Sequence, residues 1–339
     1  MLRYFLTIFY CVSFLYPSYC QDARRYSRDS GDLRNIPDMQ IVLDTSDRFA
    51  GNNGFIFKSI RIEDVRFDTT NIGMYAIAKN ALFPAIKNYK INFKNGAANS
   101  LHAYLNNFFT KNLSNEDEDK KLVCFLKRLN VTRRDTIVDN VKLTSTFSQI
   151  NFEMEVFLKS ADNYYAAFKI DTLLIESIGT RKSEITDEIK NYLLMPVLRI
   201  VQERINNTVW NTIMNKKSFL ESVVINNYFN NRFNLPILTQ PYKKGIYTSF
   251  TEFKNNTPSI TGFTVKKGKS GTISLINANG DYLVTTKMFA FSDGEKCWIL
   301  KGNFCYPLMR TGNSFEFFLT IIYNLKILLA INMETGEIS

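Results

Sequence analysis

Residues 149–176 read QINFEMEVFLKSADNYYAAFKIDTLLIE and carry the clearest strand pattern of the chain. Apolar and polar residues alternate on both sides of a turn at 161–163. A period of two is typical of strands that place one face on a core and the other face in water. The stretch therefore predicts a long antiparallel hairpin, and Glu153 and Glu155 are expected on its outer, polar face.

Helical patterns flank this hairpin on both sides. Apolar residues recur at helical spacing over 97–112, and a longer stripe of the same period runs from about Ser183 to Ile205. Pro196 is expected to kink the second helix, because proline cannot donate the helical hydrogen bond. Further strands are predicted at 55–67, 86–93 and 121–133.

Changes in composition divide the chain into five predicted segments. Residues 1–20 are read as a signal peptide, 21–48 as a flexible arm and 49–232 as an α+β domain. Residues 233–241, with two prolines, are read as a linker, and 242–339 as a smaller domain of short strands and hairpin turns. The predicted fold class is therefore α+β, an antiparallel sheet with two packed helices plus a smaller mostly-β C-terminal domain.

The first segment has the layout of a secretory signal peptide. An apolar run over 5–15 follows a basic residue and is too short to span a bilayer, which takes about 20 apolar residues. Cleavage is predicted between Cys20 and Gln21, which places the product in the periplasm or outside the cell. The alternative is a lipoprotein signal that carries lipid on Cys20, and the bulky Tyr19 disfavours it.

The charge balance is basic, with 42 Lys and Arg against 32 Asp and Glu, a formal net charge of +10. Such a chain is attracted to anionic surfaces, but a nucleic-acid-binding protein usually concentrates its charge on one face. The basic clusters here are scattered, at Arg24-Arg25, Lys127-Arg128, Arg133-Arg134, Lys216-Lys217, Lys243-Lys244 and Lys266-Lys267 with Lys269. Weak attraction to an anionic envelope component is therefore predicted, and nucleic acid is not a predicted partner.

The sequence contains no recognisable catalytic constellation. The chain has one histidine, so a metal centre built from several histidines is excluded. His102, on the helix predicted at 97–112, could serve as a base or pH switch. The alternative is a residue without a chemical role at the boundary of the apolar stripe, and this interpretation is preferred. The acidic residues 116–119 lack the alternating ligand layout of a calcium loop and are read as a solvated loop. No catalytic residue, metal or cofactor is predicted.

Cysteines and aromatic residues offer two weaker signals. Cys297 and Cys305 flank a hairpin-like segment with a turn near Gly302, which makes a disulfide a candidate in an oxidising compartment. The alternative is two half-buried thiols, and Cys124 is read as a core residue of an apolar strand. Aromatic pairs could line an apolar groove or simply fill a core, at Tyr164-Tyr165, Tyr228-Phe229 and Phe315 with Phe317-Phe318.

Two parts of the chain resemble known families. In the order and lengths of its elements, 55–207 resembles the periplasmic domain of ABC-type transport auxiliary lipoproteins. The string KGIYTSFTEFKNNTPSI at 244–260 and the residues PL and GNSF between 307 and 315 are similar to an uncharacterised family of secreted envelope proteins of Bacteroidota. That resemblance implies an exported protein and supplies no activity or catalytic residue.

Together these patterns predict a non-enzymatic envelope protein that binds a partner protein or an apolar or anionic, lipid-like envelope component. No transmembrane segment is predicted in it. The alternative is a secreted hydrolase that uses carboxylates, for which Glu153 and Glu155 would be about 7 Å apart along one strand face. A third hypothesis is a subunit of a larger complex, which would expose an apolar patch of several hundred Å².

Overall fold

The computed structural model describes residues 36–43, 55–78, 86–109, 113, 119–138, 142–177, 185–267, 273–283, 285–302, 304–320 and 326–338. These residues form two compact units. One unit contains 36–234 together with 311–314, and the other contains 235–310 and 315–338. The predicted signal peptide and most of the acidic stretch, 116–118, lie outside the described residues. None of the helices in the described parts is long and apolar enough to cross a membrane.

An eight-stranded sheet forms the frame of the larger unit. Its strands are β1 (Asp38–Ile41), β2 (Ser59–Asp64), β3 (Gly73–Ala78), β4 (Ile86–Phe93), β5 (Lys120–Val138), β6 (Lys142–Ser160), β7 (Asn163–Ser177) and β8 (Ser218–Leu220). The strand order is β1-β4-β3-β5-β6-β7-β8, and β2 pairs with β5. The hairpin predicted at 149–176 is confirmed by the antiparallel pairing of β6 with β7.

The sheet is mixed, which corrects the prediction of an antiparallel sheet. β1 runs parallel to β4, and both β2 and β3 run parallel to β5. The remaining pairs are antiparallel, including β5 with β6 and β7 with β8. Alternation of apolar residues is the same in a strand of either direction, so the sequence pattern located strands without fixing their partners. Strand β1 also lies within the segment read as a flexible arm.

Helices cover one face of the sheet and form the main core with it. Helix α1 spans Ala97–Phe109, and α2 consists of an α-helical turn at Ile185–Glu188, a π-helical turn at Ile189–Leu194 and a further α-helix at Met195–Asn207. A short helix α3, Trp210–Ile213, follows. Pro196 lies inside α2, two residues after the π-helical turn ends at Leu194, and its missing N–H interrupts the helical hydrogen bonding there.

A further helical segment lies against the opposite, outer face. Helix α4 begins as Glu221–Ile225, continues as a π-helical turn at Asn226–Asn230 and ends as Asn231–Phe233. Val224 is buried in a second apolar cluster with side chains of β5, β6 and β7, and Tyr228 and Phe229 pack against that cluster. Part of the sheet face predicted to be in water is therefore covered.

The residues after 234 form smaller antiparallel sheets and short helices. The four-stranded sheet contains β9 (Gly245–Tyr247), β12 (Ala290–Ser292), β13 (Cys297–Lys301) and β14 (Phe304–Pro307). The others contain β10 (Thr264–Lys267) with β11 (Ile273–Ile276), and β15 (Met309–Thr311), β16 (Ser314–Thr320) and β17 (Lys326–Ile331).

Two short helices belong to the same part of the chain, α5 (Pro236–Thr239) and α6 (Phe250–Lys254). Helix α5 lies inside the segment read as a linker, 233–241. Ile237 and Leu238 of this helix are buried, so these residues pack as part of the fold.

Candidate functional site

A β-bulge in β5 positions the polar groups of the outer face. The register of β5 with β6 pairs Arg128 with Glu153 and leaves Lys127 as an extra residue. Leu126 and Leu129, on either side of the bulge, both belong to the main core. A bulge shifts the alternation of a strand by one residue, so Lys127 and Arg128 both reach the outer face.

Glu153 is buried at the centre of the resulting charge cluster, with 3% of the residue exposed. Its carboxylate lies 3.1 Å from Lys127 Nζ, 3.1 Å from Arg128 Nη2 and 2.8 Å from Lys169 Nζ. Burial opposes ionisation, but hydrogen bonds from Lys169 and Lys127 outweigh it and lower the pKa of Glu153. A buried charge requires such partners, because leaving it unpaired is strongly unfavourable.

Glu155 connects the charge cluster to helix α4. Lys127 Nζ donates to Glu155 Oε1 at 2.9 Å, and the Tyr228 hydroxyl donates to Glu155 Oε2. The Tyr228 ring also stacks on Phe125, with 4.3 Å between ring centroids. Burial, followed by the bond to Glu155, raises the pKa of Tyr228 above its usual range. The tyrosine therefore stays protonated and holds α4 on the sheet.

The cluster continues to the surface on β7. Lys169 Nζ lies 3.3 Å from Asp171, and these side chains are 48% and 53% exposed. Arg128 Nη1 is 3.9 Å from the same aspartate. We define the charge cluster as Lys127, Arg128, Glu153, Glu155, Lys169 and Asp171. Its inner members are covered by protein, and its outer members are accessible to water.

This geometry does not favour Glu153 as a proton donor or acceptor near neutral pH. A proton donor or acceptor works best with a pKa near the working pH. The lowered pKa of Glu153 keeps this carboxylate ionised at neutral pH. Burial would lower the pKa of Lys127, but its hydrogen bonds to Glu155 and Glu153 outweigh burial and raise that pKa, so Lys127 stays charged. The expectation that both glutamates lie on a solvated face is also wrong, because Glu153 is 3% exposed and the side chain of Glu155 is 21% exposed.

An exposed apolar surface lies beyond the charge cluster on the same face. Leu173 and Ile175 of β7 are 53% and 55% exposed, and Phe147 of β6 is 41% exposed. Register and alternation place them on the same side of the sheet as Glu153 and Asp171. Single exposed apolar residues are ordinary, but several together mark an interaction site. We call these three residues the β7 patch.

The edge of β7 beside this patch is open among the described residues. Strand β8 pairs with β7 only through Asn163, Tyr164 and Tyr165. From residue 166 to 177, β7 has no strand neighbour on that side within the described parts of the chain. Backbone N–H and C=O groups at such an edge are a template for pairing with another chain. The open edge and the β7 patch together are the candidate site.

His102 lies apart from this site, on α1. It is exposed, and its ring Nδ1 lies 3.0 Å from Nδ2 of Asn106. Asn106 in turn accepts from Ile60 N at 3.1 Å and donates to Ile60 O at 2.8 Å, which fastens α1 to β2. No carboxylate hydrogen-bonded to His102 is present among the described residues, so its surroundings fit a surface position on the helix.

The candidate disulfide between Cys297 and Cys305 is not formed. The turn lies between the paired residues Lys301 and Phe304, so Cys305 faces Leu300 and not Cys297. Both cysteines are free thiols. Burial raises the pKa of Cys305 to about 11, and burial raises the pKa of Cys297 to about 12. Thiols with such pKa values are protonated and unreactive at neutral pH.

The remaining sequence signals are mostly structural. Cys124 is fully buried in the main core, and burial raises its pKa. The aromatic residues of the predicted groove fill cores instead, as Tyr164 does in the outer cluster and Phe315 and Phe317 do in the smaller unit. Of the basic pairs, Lys127-Arg128 belongs to the charge cluster, whereas Lys216 and Lys217 are exposed.

Comparisons with protein-family models, with curated proteins and with solved structures found no match to this chain. The resemblances to the envelope family and to the transport auxiliary domain therefore stay predictions.

Proposed function

We propose that this chain is a non-enzymatic exported protein that binds a partner protein by adding an extended segment of the partner to the open edge of β7. The observation that carries this proposal is the position of the β7 patch directly beside that edge. Leu173 and Ile175 are both more than half exposed, and they lie on the part of β7 that has no strand neighbour on that side among the described residues.

Strand addition explains both features of this surface. Main-chain hydrogen bonds to an open edge supply affinity, and alternate side chains of the bound strand supply specificity. Leu173 and Ile175 offer apolar contacts at one end, and fully burying such a side chain contributes about 1.5–3 kcal/mol. Lys169 and Asp171 offer charges of both signs at the other end. The expected partner segment is extended, with apolar residues at one end and charged residues at the other.

Export is supported by the sequence of residues 1–20. The apolar run, the proline that ends it and the small residues before Gln21 are those of a cleaved signal. The expected location is the periplasm or the outside of the cell, where the resembling envelope proteins reside. A non-enzymatic role agrees with the ion pairs that Lys127 forms with Glu153 and Glu155, the carboxylates that a hydrolase would have used.

Photo-crosslinking in the producing cells tests this proposal. Benzoylphenylalanine is placed at Leu173, at Ile175 or at Tyr282, a control residue of the smaller unit that is 65% exposed. We expect one protein to crosslink at both β7 positions and not at Tyr282. A synthetic peptide that covers its crosslinked segment should bind the purified chain, and Leu173→Lys should weaken that binding about tenfold or more.

Two results would contradict strand addition. The first is the same set of crosslinked proteins at all three positions, which would mean random encounters. The second is peptide binding that is unchanged by Leu173→Lys and by Ile175→Lys in a chain that retains its circular dichroism spectrum.

A further inference from the structure

A second exposed surface lies where β8 passes into α4. Phe219, Leu220, Val223 and Ile225 are 39%, 59%, 43% and 41% exposed, so four large apolar side chains within seven residues face water. Lys216 and Lys217 precede them, with Ser218 in between, and are exposed as well. We call residues 216–225 the basic apolar segment.

The fold holds this segment in place from both sides. Ile213 before it and Val224 within it are buried, at 4% and 3% exposure. Strand β8 pairs with β7, and Glu221 N donates to Asp162 O at 2.9 Å. The exposed apolar side chains therefore lie on backbone that is already ordered at a corner of the sheet. Binding through them would lose little backbone conformational entropy.

Basic groups outnumber acidic ones at the segment, where Lys159, Lys216 and Lys217 stand against Glu221 and Asp162. The carboxylate of Glu221 is neutralised by Lys159, whose Nζ lies 2.6 Å from it. Lys216 has only a long contact of 3.5 Å to Ala166 O, and no ion pair to Lys216 or Lys217 is present among the described residues. Two uncompensated positive charges thus stand beside the apolar side chains, in a chain of net charge +10.

We propose that the basic apolar segment docks this protein on a lipid surface with anionic headgroups. Lysine is depleted in the cores of protein–protein interfaces, so two lysines beside the apolar cluster disfavour a protein as its occupant. At a bilayer, apolar side chains enter the boundary between headgroups and acyl chains, while lysines extend towards anionic headgroups. This surface is separate from the β7 patch, so the lipid proposal does not depend on the partner protein.

Vesicle sedimentation tests the proposal with the full chain and two lipid compositions, phosphatidylcholine alone and phosphatidylcholine with phosphatidylglycerol. We expect binding to the vesicles that contain phosphatidylglycerol, and this binding should weaken as salt screens the lysines. Replacing both lysines, Lys216→Gln with Lys217→Gln, should lower the binding constant roughly 30-fold. Leu220→Ser with Val223→Ser should lower it by about tenfold or more.

The matched control is Leu173→Ser with Ile175→Ser, which removes equally exposed apolar side chains from the β7 patch. All variants carry the same N-terminal residues, so any contribution of those residues to vesicle binding is equal in all of them. A difference in vesicle binding between variants therefore comes from the substituted residues. Unchanged vesicle binding by this control, with loss in the two segment variants, supports the proposal. Equal binding to both lipid compositions, equal loss in the control, or unchanged binding by folded segment variants would overturn it.

Discussion

Lys127 and Arg128 are consecutive residues of β5, yet each places a cationic nitrogen 3.1 Å from a carboxylate oxygen of Glu153. In a regular strand, consecutive side chains point to opposite faces. The bulge at Lys127 removes that difference and gathers both charges on the outer face. The stability of this face is therefore expected to depend on Glu153, the carboxylate that both cations share.

Replacement of the buried carboxylate is the first test. Glu153→Gln keeps the shape of the side chain but leaves Lys127, Arg128 and Lys169 without their shared anion. We expect the free energy of unfolding in urea to fall by about 3 kcal/mol, because breaking a buried ion pair leaves buried charge uncompensated. Asp171→Asn, at the exposed end of the cluster, should cost about 1 kcal/mol or less. Equal losses in the two variants would show that Glu153 is not the centre of the cluster.

The same carboxylate should make stability depend on pH in the acid range. The pKa of Glu153 in the folded chain lies below its ordinary value of 4.5, because hydrogen bonds from Lys169 and Lys127 outweigh burial. A lowered pKa contributes stability above the unfolded-state pKa, and this contribution is lost as pH falls through the folded-state pKa.

Urea unfolding of the wild type and Glu153→Gln at a series of pH values measures this contribution. The difference between them should be constant between about pH 7 and pH 5 and should shrink progressively below about pH 4.5. A difference that persists unchanged at about pH 2 would mean that ionisation of Glu153 does not stabilise the fold.

The attachment of α4 to the sheet depends on Tyr228. Tyr228→Phe removes the hydroxyl that donates to Glu155 and keeps the ring that stacks on Phe125. A hydrogen bond to a charged group contributes about 1.5–3 kcal/mol, and we expect a loss of that size in thermal or urea unfolding. Tyr282→Phe, at a position that is 65% exposed, is the control and should change stability little. The same small change in both variants would contradict the role of the hydroxyl.

Several elements were predictable because their signals are local. The alternation over 149–176 located β6 and β7, and the helical spacing over 97–112 located α1. The parallel partners of β5 were not predictable, because residues such as Arg61 and Val123 become neighbours only through long-range pairing. The polar face was read as solvated because nothing in its own sequence indicates that α4 will cover it.

The bulge left a trace in the sequence that could have been used. Core residues of β5 recur every second position at Leu122, Cys124 and Leu126, and the next ones are Leu129 and Val131. A step of three inside an alternating run indicates one extra residue. That step would have placed Lys127 and Arg128 on one face and pointed to the glutamates of β6 as their partners.

The cysteines provide a prediction about redox chemistry. Because Cys305 faces Leu300 across β13 and β14, peptide mapping without reductant should recover Cys297 and Cys305 as thiols. Their raised pKa values should also make alkylation of the folded chain slow near pH 8, with half-buried Cys305 reacting before buried Cys297. Recovery of a peptide pair joined through these two residues would show that the register of this hairpin is different.

The close approach of β3 to β5 should make Gly73 the least tolerant of the described glycines in the larger unit. A Cβ at Gly73 would lie 2.0 Å from Val131 O. The backbone φ of Gly73 is +149°, a value that residues with a side chain rarely adopt. Gly73→Ala must therefore separate the two strands, and we expect a loss of about 3 kcal/mol or more in the free energy of unfolding.

Gly96→Ala is the control, because its φ is also positive, at +76°, but nothing lies within 4 Å of the added Cβ. The control should cost only about 1 kcal/mol of backbone strain. Similar losses at both positions would mean that the backbone of β3 does not contact that of β5 as closely as described, and that the parallel pairing of these strands is wrong.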